Sequence, residues 1–285
     1  MLESLVNPKR LEKGPWKMFF IGILYASLSL LLVQLFFSSD PVLIKYSGLI
    51  VVTFCVMFSL PFMYFIIKQE EREDEIIEGI RSVWRVHKDA IYAFIWLFLG
   101  FVIAFSFWHI VLGDSTMLNA QLETYCAINS PGNIQGCVNQ YSSGITLTPT
   151  GAATGFGRFL SILENNIYVL IFTLIFSLIF GAGAIFILAW NATVIASAIG
   201  IFTNYKLSGI PLGLVRYMIH GIPEIGAYFV AALAGGILGT GFMRHGFKNK
   251  RFYHVLENVI LLLFFSILIL VVAGIMEVYF TPLFY

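Results

Sequence analysis

Six long apolar runs constrain this chain more than any other feature. They cover residues 18–37, 47–67, 90–112, 167–190, 222–243 and 255–276. A helix that spans a bilayer needs about 20 mainly apolar residues, and in lipid it must satisfy its own backbone hydrogen bonds. With 59% hydrophobic and 12% charged residues, the chain is far more apolar than a soluble domain. The sequence therefore predicts an all-α, polytopic helical membrane protein.

A seventh segment, between residues 191 and 221, is interrupted by glycine and proline. Gly200, Gly209, Pro211 and Gly213 lie within it. The fourth run enters from outside and ends inside, and the basic cluster at 244–251 should also be inside, so the chain between them must cross the membrane an even number of times. A short arm near 191–205 and a returning arm near 210–243 satisfy this. We expect a short or broken hairpin at 191–221 and six to seven spans in all. Irregular backbone at membrane depth has to be buried in protein or line a wet cavity, so this hairpin should face the interior.

The basic residues predict the topology. They form three clusters: Lys9, Arg10, Lys13 and Lys17; Lys68, Arg72, Arg81, Arg85 and Lys88; and Arg244, Lys248, Lys250 and Arg251. Lys and Arg favour cytoplasmic loops. The N-terminus should thus be cytoplasmic, with residues 113–158 and the C-terminus outside the plasma membrane. The first run lacks a clear cleavage site and is interpreted as a retained anchor. Membrane lipids are the expected partners, and a net charge of +1 gives no reason to expect nucleic acid.

Two of the three cysteines fall in the predicted external loop. Cys126 and Cys137 lie in a compartment where disulfides persist, whereas Cys55 is alone in the second span. We expect a disulfide between Cys126 and Cys137 and an inert Cys55. The alternative is two free thiols.

The chain divides into three regions by composition. Residues 1–112 hold three bulky spans, residues 113–158 form the extracytoplasmic loop, and residues 159–285 hold a region rich in small residues and the last span. The connection near 70–88 has helical spacing of apolar residues, typical of an amphipathic helix. Such a helix either lies against the membrane, continuing into the third span, or docks a cytoplasmic partner.

A polar triplet stands out in the second half of the chain. Arg216, His220 and Glu224 recur every four residues and share one helix face. We expect a His220–Glu224 pair, with a helix break at Gly221 and Pro223, because proline removes an amide donor and clashes with the preceding turn. Ionisable residues in a membrane normally face inward and pair. Structural pairing, a transport or proton-linked site, and catalysis are the three interpretations.

Further polar and small residues complete the predicted intramembrane cluster and its packing surface. Asn165, Asn166 and Asn191 flank the fourth span and should cap helices or join the triplet. A face of Ala227, Ala231, Gly235 and Gly239 repeats every four residues and favours close helix packing. His109 and Glu277 are expected to be anchors near the membrane surface.

The sequence carries no recognisable catalytic motif. It lacks the HExxH, GxSxG and GxxxxGK[ST] patterns and any Cys/His spacing typical of zinc. We therefore expect no enzyme activity, no metal and no cofactor.

Three stretches carry a family resemblance. "FLSILENN", "FGAGAIFILAWNA" and "HGIPEIGAYFVAALAGG" together resemble the stage II sporulation protein M family of multi-pass membrane proteins over about residues 159–240. The resemblance does not extend to the first three spans. It gives weight, without a chemical role, to six positions: Asn165, Asn166, Asn191, His220, Gly221 and Glu224. The chain departs from the family pattern at Ala192, Ile219 and Pro223.

Two hypotheses of function follow. In the first, the chain is a non-enzymatic scaffold or membrane-remodelling subunit of this family that forms a homo-oligomer through the small-residue face. In the second, it is a transporter or permease-like subunit. Asn166, Asn191, His220 and Glu224 would then surround a polar cavity gated by the hairpin, since interrupted helices near the midplane are a recurring transporter device.

Overall fold

The computed structural model describes residues 14–74, 80–113, 117–129, 132–142, 155–180, 185–245 and 250–281. Over these ranges the chain forms helices and contains no strand. The helices are α1 (Lys17–Phe36), α2 (Ser47–Asp74), α3 (Ile80–Leu112), α4 (Asn119–Asn129), α5 (Ile134–Ser142), α6 (Gly155–Phe180), α7 (Ile185–Phe202), α8 (Ile210–His245) and α9 (Lys250–Ile275). Short 3-10 turns at Leu43–Tyr46 and Leu207–Gly209 precede α2 and α8, and a π-helical turn, Met276–Phe280, follows α9.

Seven helices in the described ranges are long and apolar enough to cross a membrane. They are α1, α2, α3, α6, α7, α8 and α9, with α4 and α5 between the third and fourth of them. The predicted all-α, polytopic membrane protein is therefore confirmed, with seven candidate spans.

The hairpin expected at 191–221 is present, as α7 and the first part of α8, but neither of its arms is broken. The fourth apolar run is divided between α6, which ends at Phe180, and α7, which begins at Ile185. The segment expected to be a short or broken arm belongs to α7, a regular helix of 18 residues. The chain turns between these two arms at 203–209, where Asn204 and Tyr205 have φ of 50° and 54°. Hydropathy does not mark the boundary between α6 and α7, because the intervening residues 181–184, "GAGA", are small and apolar. These four residues lie outside the described residues.

No helix break occurs at Gly221 or Pro223. Both residues lie inside α8, which runs without interruption from Ile210 to His245 and has 36 residues. Proline is tolerated in long membrane helices because neighbouring helices and local adjustments satisfy the freed carbonyl. Its position alone therefore predicted a break that the tertiary packing overrides.

Helices from both halves of the chain share one core. Phe94 and Phe98 of α3 pack on Phe229 of α8, with ring centroids 5.1 and 6.4 Å apart. Helix α8 also packs along α6 and α9. We call the end of the bundle that carries α4 and α5 the disulfide end. The opposite end, which holds the connections from α2 to α3 and from α8 to α9, is called the basic end.

Cys126 and Cys137 form a disulfide, with Cα atoms 5.7 Å apart. The predicted pair is therefore confirmed. It joins α4 to α5, and both sulfur-bearing side chains pack against Ile201 of α7. The free thiol Cys55 is fully buried within α2.

The predicted amphipathic helix near 70–88 lies only partly within the described residues. Helix α2 continues to Asp74 and α3 begins at Ile80, whereas residues 75–79, and the side chains from 71 to 86, lie outside them. At the borders of this segment, the buried side chains of Glu70 and His87 are hydrogen-bonded with an N–O distance of 2.6 Å, which ties α2 to α3 at the basic end. The basic residues at 9, 10 and 13 also lie outside the described residues.

Candidate functional site

Glu224 is the centre of a polar cluster between α6 and α8. The Asn166 amide of α6 donates a hydrogen bond to the Glu224 carboxylate at 2.7 Å. The Tyr228 hydroxyl, one turn beyond Glu224, donates to the Asn166 side-chain oxygen at 2.9 Å. Asn166 and Tyr228 are buried and Glu224 is half-buried. This arrangement occupies both ends of the asparagine amide, which fixes its orientation.

A second carboxyl group completes the cluster. Glu277 lies in the π-helical turn after α9, and its side chain lies close to that of Glu224. Arg158, near the start of α6, interacts electrostatically with Glu277. The cluster thus brings two carboxyl groups together between α8 and the segment that follows α9.

His220 does not pair with Glu224, so that prediction is wrong. Its Nδ1 atom lies 3.2 Å from the hydroxyl of Thr281, which in turn donates to the backbone oxygen of Met276 at 3.1 Å. The i, i+4 spacing allows a pair on one helix, but each side chain has a closer partner on another element. His220 and Glu224 therefore make two separate connections from α8 to the segment that follows α9.

The remaining predicted members lie outside the Glu224 contacts. The Arg216 guanidinium sits over the Phe202 ring, 4.5 Å from its centroid, next to the turn between α7 and α8. Asn191 donates within its own helix to the backbone oxygen of Ile187 at 2.7 Å. Asn165 reaches the side chain of Asn166 at 3.5 Å. The structure thus brings Asn166 and Glu224 together, places Asn165 beside them, and leaves Arg216 and Asn191 elsewhere.

The small-residue face of α8 packs inside the chain. A Cβ on Gly235 would lie 2.5 Å from the backbone oxygen of Leu174, and one on Gly239 would collide with that of Leu178. Ala227 and Ala231 are fully buried. Two serines reinforce this packing: Ser177 of α6 donates to the backbone oxygen of Ala232 at 2.5 Å, and Ser266 of α9 donates to that of Ala227 at 2.7 Å.

Because α6 and α9 occupy this face, the expectation that it joins two copies of the chain is wrong. A repeat of small residues shows that a helix approaches closely, but it does not say whether the neighbouring helix comes from the same chain.

Sequence reasoning missed Tyr228 and misassigned Glu277. Tyr228 is a single aromatic residue in an apolar helix, which gives no polar signal. Glu277 was expected to be an anchor at the membrane surface, yet it contacts Glu224. A usable signal existed: counting along α8 and α9 from their connection at 246–249 places Glu224 and Glu277 within about two helical turns of each other.

These features define a polytopic helical membrane protein with a carboxyl-centred polar cluster between three helices. The family model of stage II sporulation protein M matches residues 52–282, and the chain belongs to this family. The match begins within α2, so the resemblance is not limited to residues 159–240 but includes most of the second span and the third. An uncharacterized protein of Methanocaldococcus jannaschii is 31% identical over 130 residues, which cover 44% of this chain and 71% of that relative. No solved structure matches.

Proposed function

We propose that the chain is a non-enzymatic scaffold or membrane-remodelling subunit whose family region is fastened by the Glu224 cluster. The observation that carries this proposal is one path of contacting polar side chains that crosses three elements. It leads from Tyr228 through Asn166 to Glu224 and on to Glu277, and so joins α6, α8 and the turn after α9.

Energetics support a structural role for this path. Ionisable side chains inside a membrane cost at least about 2.5 kcal/mol when they are unpaired. Here the Glu224 carboxyl has partners on two neighbouring elements, Asn166 and Glu277. Hydrogen bonds between membrane helices contribute about 0.6 kcal/mol on average and up to about 1.7. Such bonds fix which helices are neighbours more than they raise total stability, as a scaffold requires.

In this proposal the basic end of the bundle faces the cytoplasm of a plasma membrane. Lys68, Lys88 and Arg244 lie at that end of α2, α3 and α8, where positive charge is favoured. The disulfide between Cys126 and Cys137 then lies on the oxidising side. The Glu224 cluster belongs to the outer half of the membrane, because Glu277 follows the end of α9 and Asn166 lies in the first half of α6.

The water accessibility of Glu224 tests the proposal. A single cysteine is placed there (Glu224→Cys) in a Cys55→Ala background that retains Cys126 and Cys137, and small charged thiol reagents are applied from each side. A scaffold predicts protection from both sides in a folded protein. Asn139→Cys, on the exposed α5 surface, is the labelling control and should react rapidly from outside only. Rapid modification at position 224 would contradict the structural role.

A second candidate function is a proton-linked transporter or permease-like subunit. The observation that favours it is the Glu224–Glu277 carboxyl contact, since carboxyl groups inside membranes often belong to proton relays. Glu224 is only half-buried, which is compatible with access from one side. This candidate predicts rapid labelling of Glu224→Cys from the outer side and loss of proton uptake in Glu224→Gln vesicles.

Self-association is a separate part of the proposal. The small-residue face of α8 is occupied within the chain, so copies must meet through another surface, and the connection near 70–88 is the proposed contact for a cytoplasmic partner. Mass measurement of the full chain in lipid nanodiscs decides the first point: a uniform monomer would exclude self-association.

A further inference from the structure

A groove between α3, α8 and α9 lies on the membrane-facing side of the bundle. It has a volume of about 170 Å³, and its walls are mainly apolar: Ile91, Tyr92, Ile95, Ile222, Val230 and Ile269. Tyr92 is 49% exposed and Ile222 is 36% exposed, so the groove opens sideways from the bundle. In a membrane protein this direction faces lipid chains, not water.

Gly226 forms part of the groove wall and leaves it deep. A Cβ built on Gly226 meets no atom within 4 Å, whereas one on Gly236 would lie 2.6 Å from the Ile67 side chain. Yet Gly226 is itself buried. Because a Cβ added to this buried glycine would meet no other atom, the space beside it is not filled by the protein's own side chains. The wall of the groove at Gly226 is therefore open, whereas α8 is tightly packed at Gly235, Gly236 and Gly239.

One end of the groove carries a positive charge. Lys88 lines it at the start of the α3 span. A lysine can lay its aliphatic stem along an apolar wall while its ammonium group reaches the interface. Asp89 follows Lys88 in the sequence but does not line the groove, so Lys88 supplies the charge of its lining. This end suits an anionic headgroup.

The dimensions of the groove suit a single acyl chain. The α3 residues that line it run from Lys88 to Ile95, which is about 10 Å along a helix. One leaflet of the hydrocarbon core is about 15 Å thick. A helix with its side chains is about 10–12 Å across and does not fit in a groove of this volume. We propose that the groove binds one acyl chain of an anionic glycerophospholipid from the leaflet at the basic end, and that Lys88 binds its phosphate.

Native mass spectrometry of the full chain, with phosphatidylglycerol or phosphatidylcholine of the same acyl length, tests the headgroup. We expect wild type to retain phosphatidylglycerol about fivefold better, since one lysine near a membrane surface contributes about 1 kcal/mol toward anionic lipid. Lys88→Gln should abolish this preference. Lys68→Gln, which alters a lysine that sits over the Tyr64 ring 5.6 Å away, is the matched control and should keep it. Equal retention of both lipids by wild type would overturn the proposal.

Filling the groove tests the acyl chain. Gly226→Leu should lower retention of both lipids at least fivefold, whereas Val272→Leu, which adds bulk on the exposed face of α9, should leave retention unchanged. If Gly226→Leu does not elute as a folded species, the smaller Gly226→Ala should still lower retention in proportion. Full retention in these variants contradicts the proposal. So does a wild-type dimer that becomes monomeric in Gly226→Leu, because a second copy would then cover the groove.

Discussion

Two helix interfaces in this molecule are equally close but differ in their polar contacts. Where α1 crosses α3, a Cβ on Gly22 would collide with the backbone oxygen of Leu97, and one on Gly100 with that of Phe19. Where α8 crosses α6, Gly235 and Gly239 play the same part against the backbone of Leu174 and Leu178. In both places glycine allows backbones to touch, as is common between membrane helices.

The polar content of the two interfaces differs. Helix α1 contains no acidic residue, and the Trp108 indole N–H of α3 donates to the Ser27 hydroxyl of α1 at 2.9 Å. The α6–α8 interface has Asn166 and Glu224 in direct contact. Because α1 and α3 pack closely without a carboxyl group, close packing does not require one. Close packing therefore does not explain the carboxyl cluster. Its role is either to specify which helices are neighbours or to bind a proton.

The largest expected effect comes from the glycines, and it should be equal at the two interfaces. Gly100→Leu and Gly235→Leu each force a side chain into a neighbouring backbone, and we expect each to lower the free energy of unfolding by about 3 kcal/mol. Unfolding by sodium dodecyl sulfate in mixed micelles measures this loss. Gly226→Ala, at an open position, is the control and should change stability by less than about 1 kcal/mol. A tolerated Gly235→Leu would mean that α6 and α8 are held by their polar contacts instead.

The next largest effect should separate the interfaces. Asn166→Leu leaves Tyr228 and one side of Glu224 without their partner, and we expect a loss of about 2 kcal/mol. Ser27→Ala, the counterpart at α1–α3, removes the half-buried acceptor of Trp108 and should cost about 1 kcal/mol or less. The same micelle titration compares the two variants. Equal losses would contradict a special role for the α6–α8 cluster.

The smallest effect concerns the two carboxyl groups. In a double-mutant cycle of Glu224→Ala and Glu277→Ala, we expect a coupling energy of at least about 0.5 kcal/mol, because residues in direct contact are not additive. A cycle of Glu224→Ala with Glu257→Ala, an exposed site nearer the start of α9, provides the baseline and should be additive within about 0.3 kcal/mol. Additivity in both cycles would show that the Glu224–Glu277 contact contributes nothing.

The sequence predicted which residues join the polar cluster better than it predicted which residues they contact. Glu224 and Asn166 were both predicted to join an intramembrane cluster, because a polar residue in an apolar run is recognisable from its residue type. Glu224 was paired with His220 because the two are four residues apart on one helix. Its contacts are instead on α6 and beyond α9, at sequence separations of 58 and 53 residues. Helical spacing reports which residues share a face but not which helix that face meets.

The sequence by itself determined that this chain is an all-α membrane protein with a disulfide in a polar loop. Those properties depend on local quantities: the length of apolar runs, the cost of unsatisfied backbone in lipid, and the distribution of Lys, Arg and Cys. The tertiary structure decided that α7 is a whole helix, that the small-residue face of α8 is covered from within, and that Glu277 meets Glu224. These facts depend on how helices that are distant in sequence pack against one another. In a bilayer the neighbours of a helix are selected by shape and by interhelical hydrogen bonds, because the hydropathy of every possible neighbour is nearly the same.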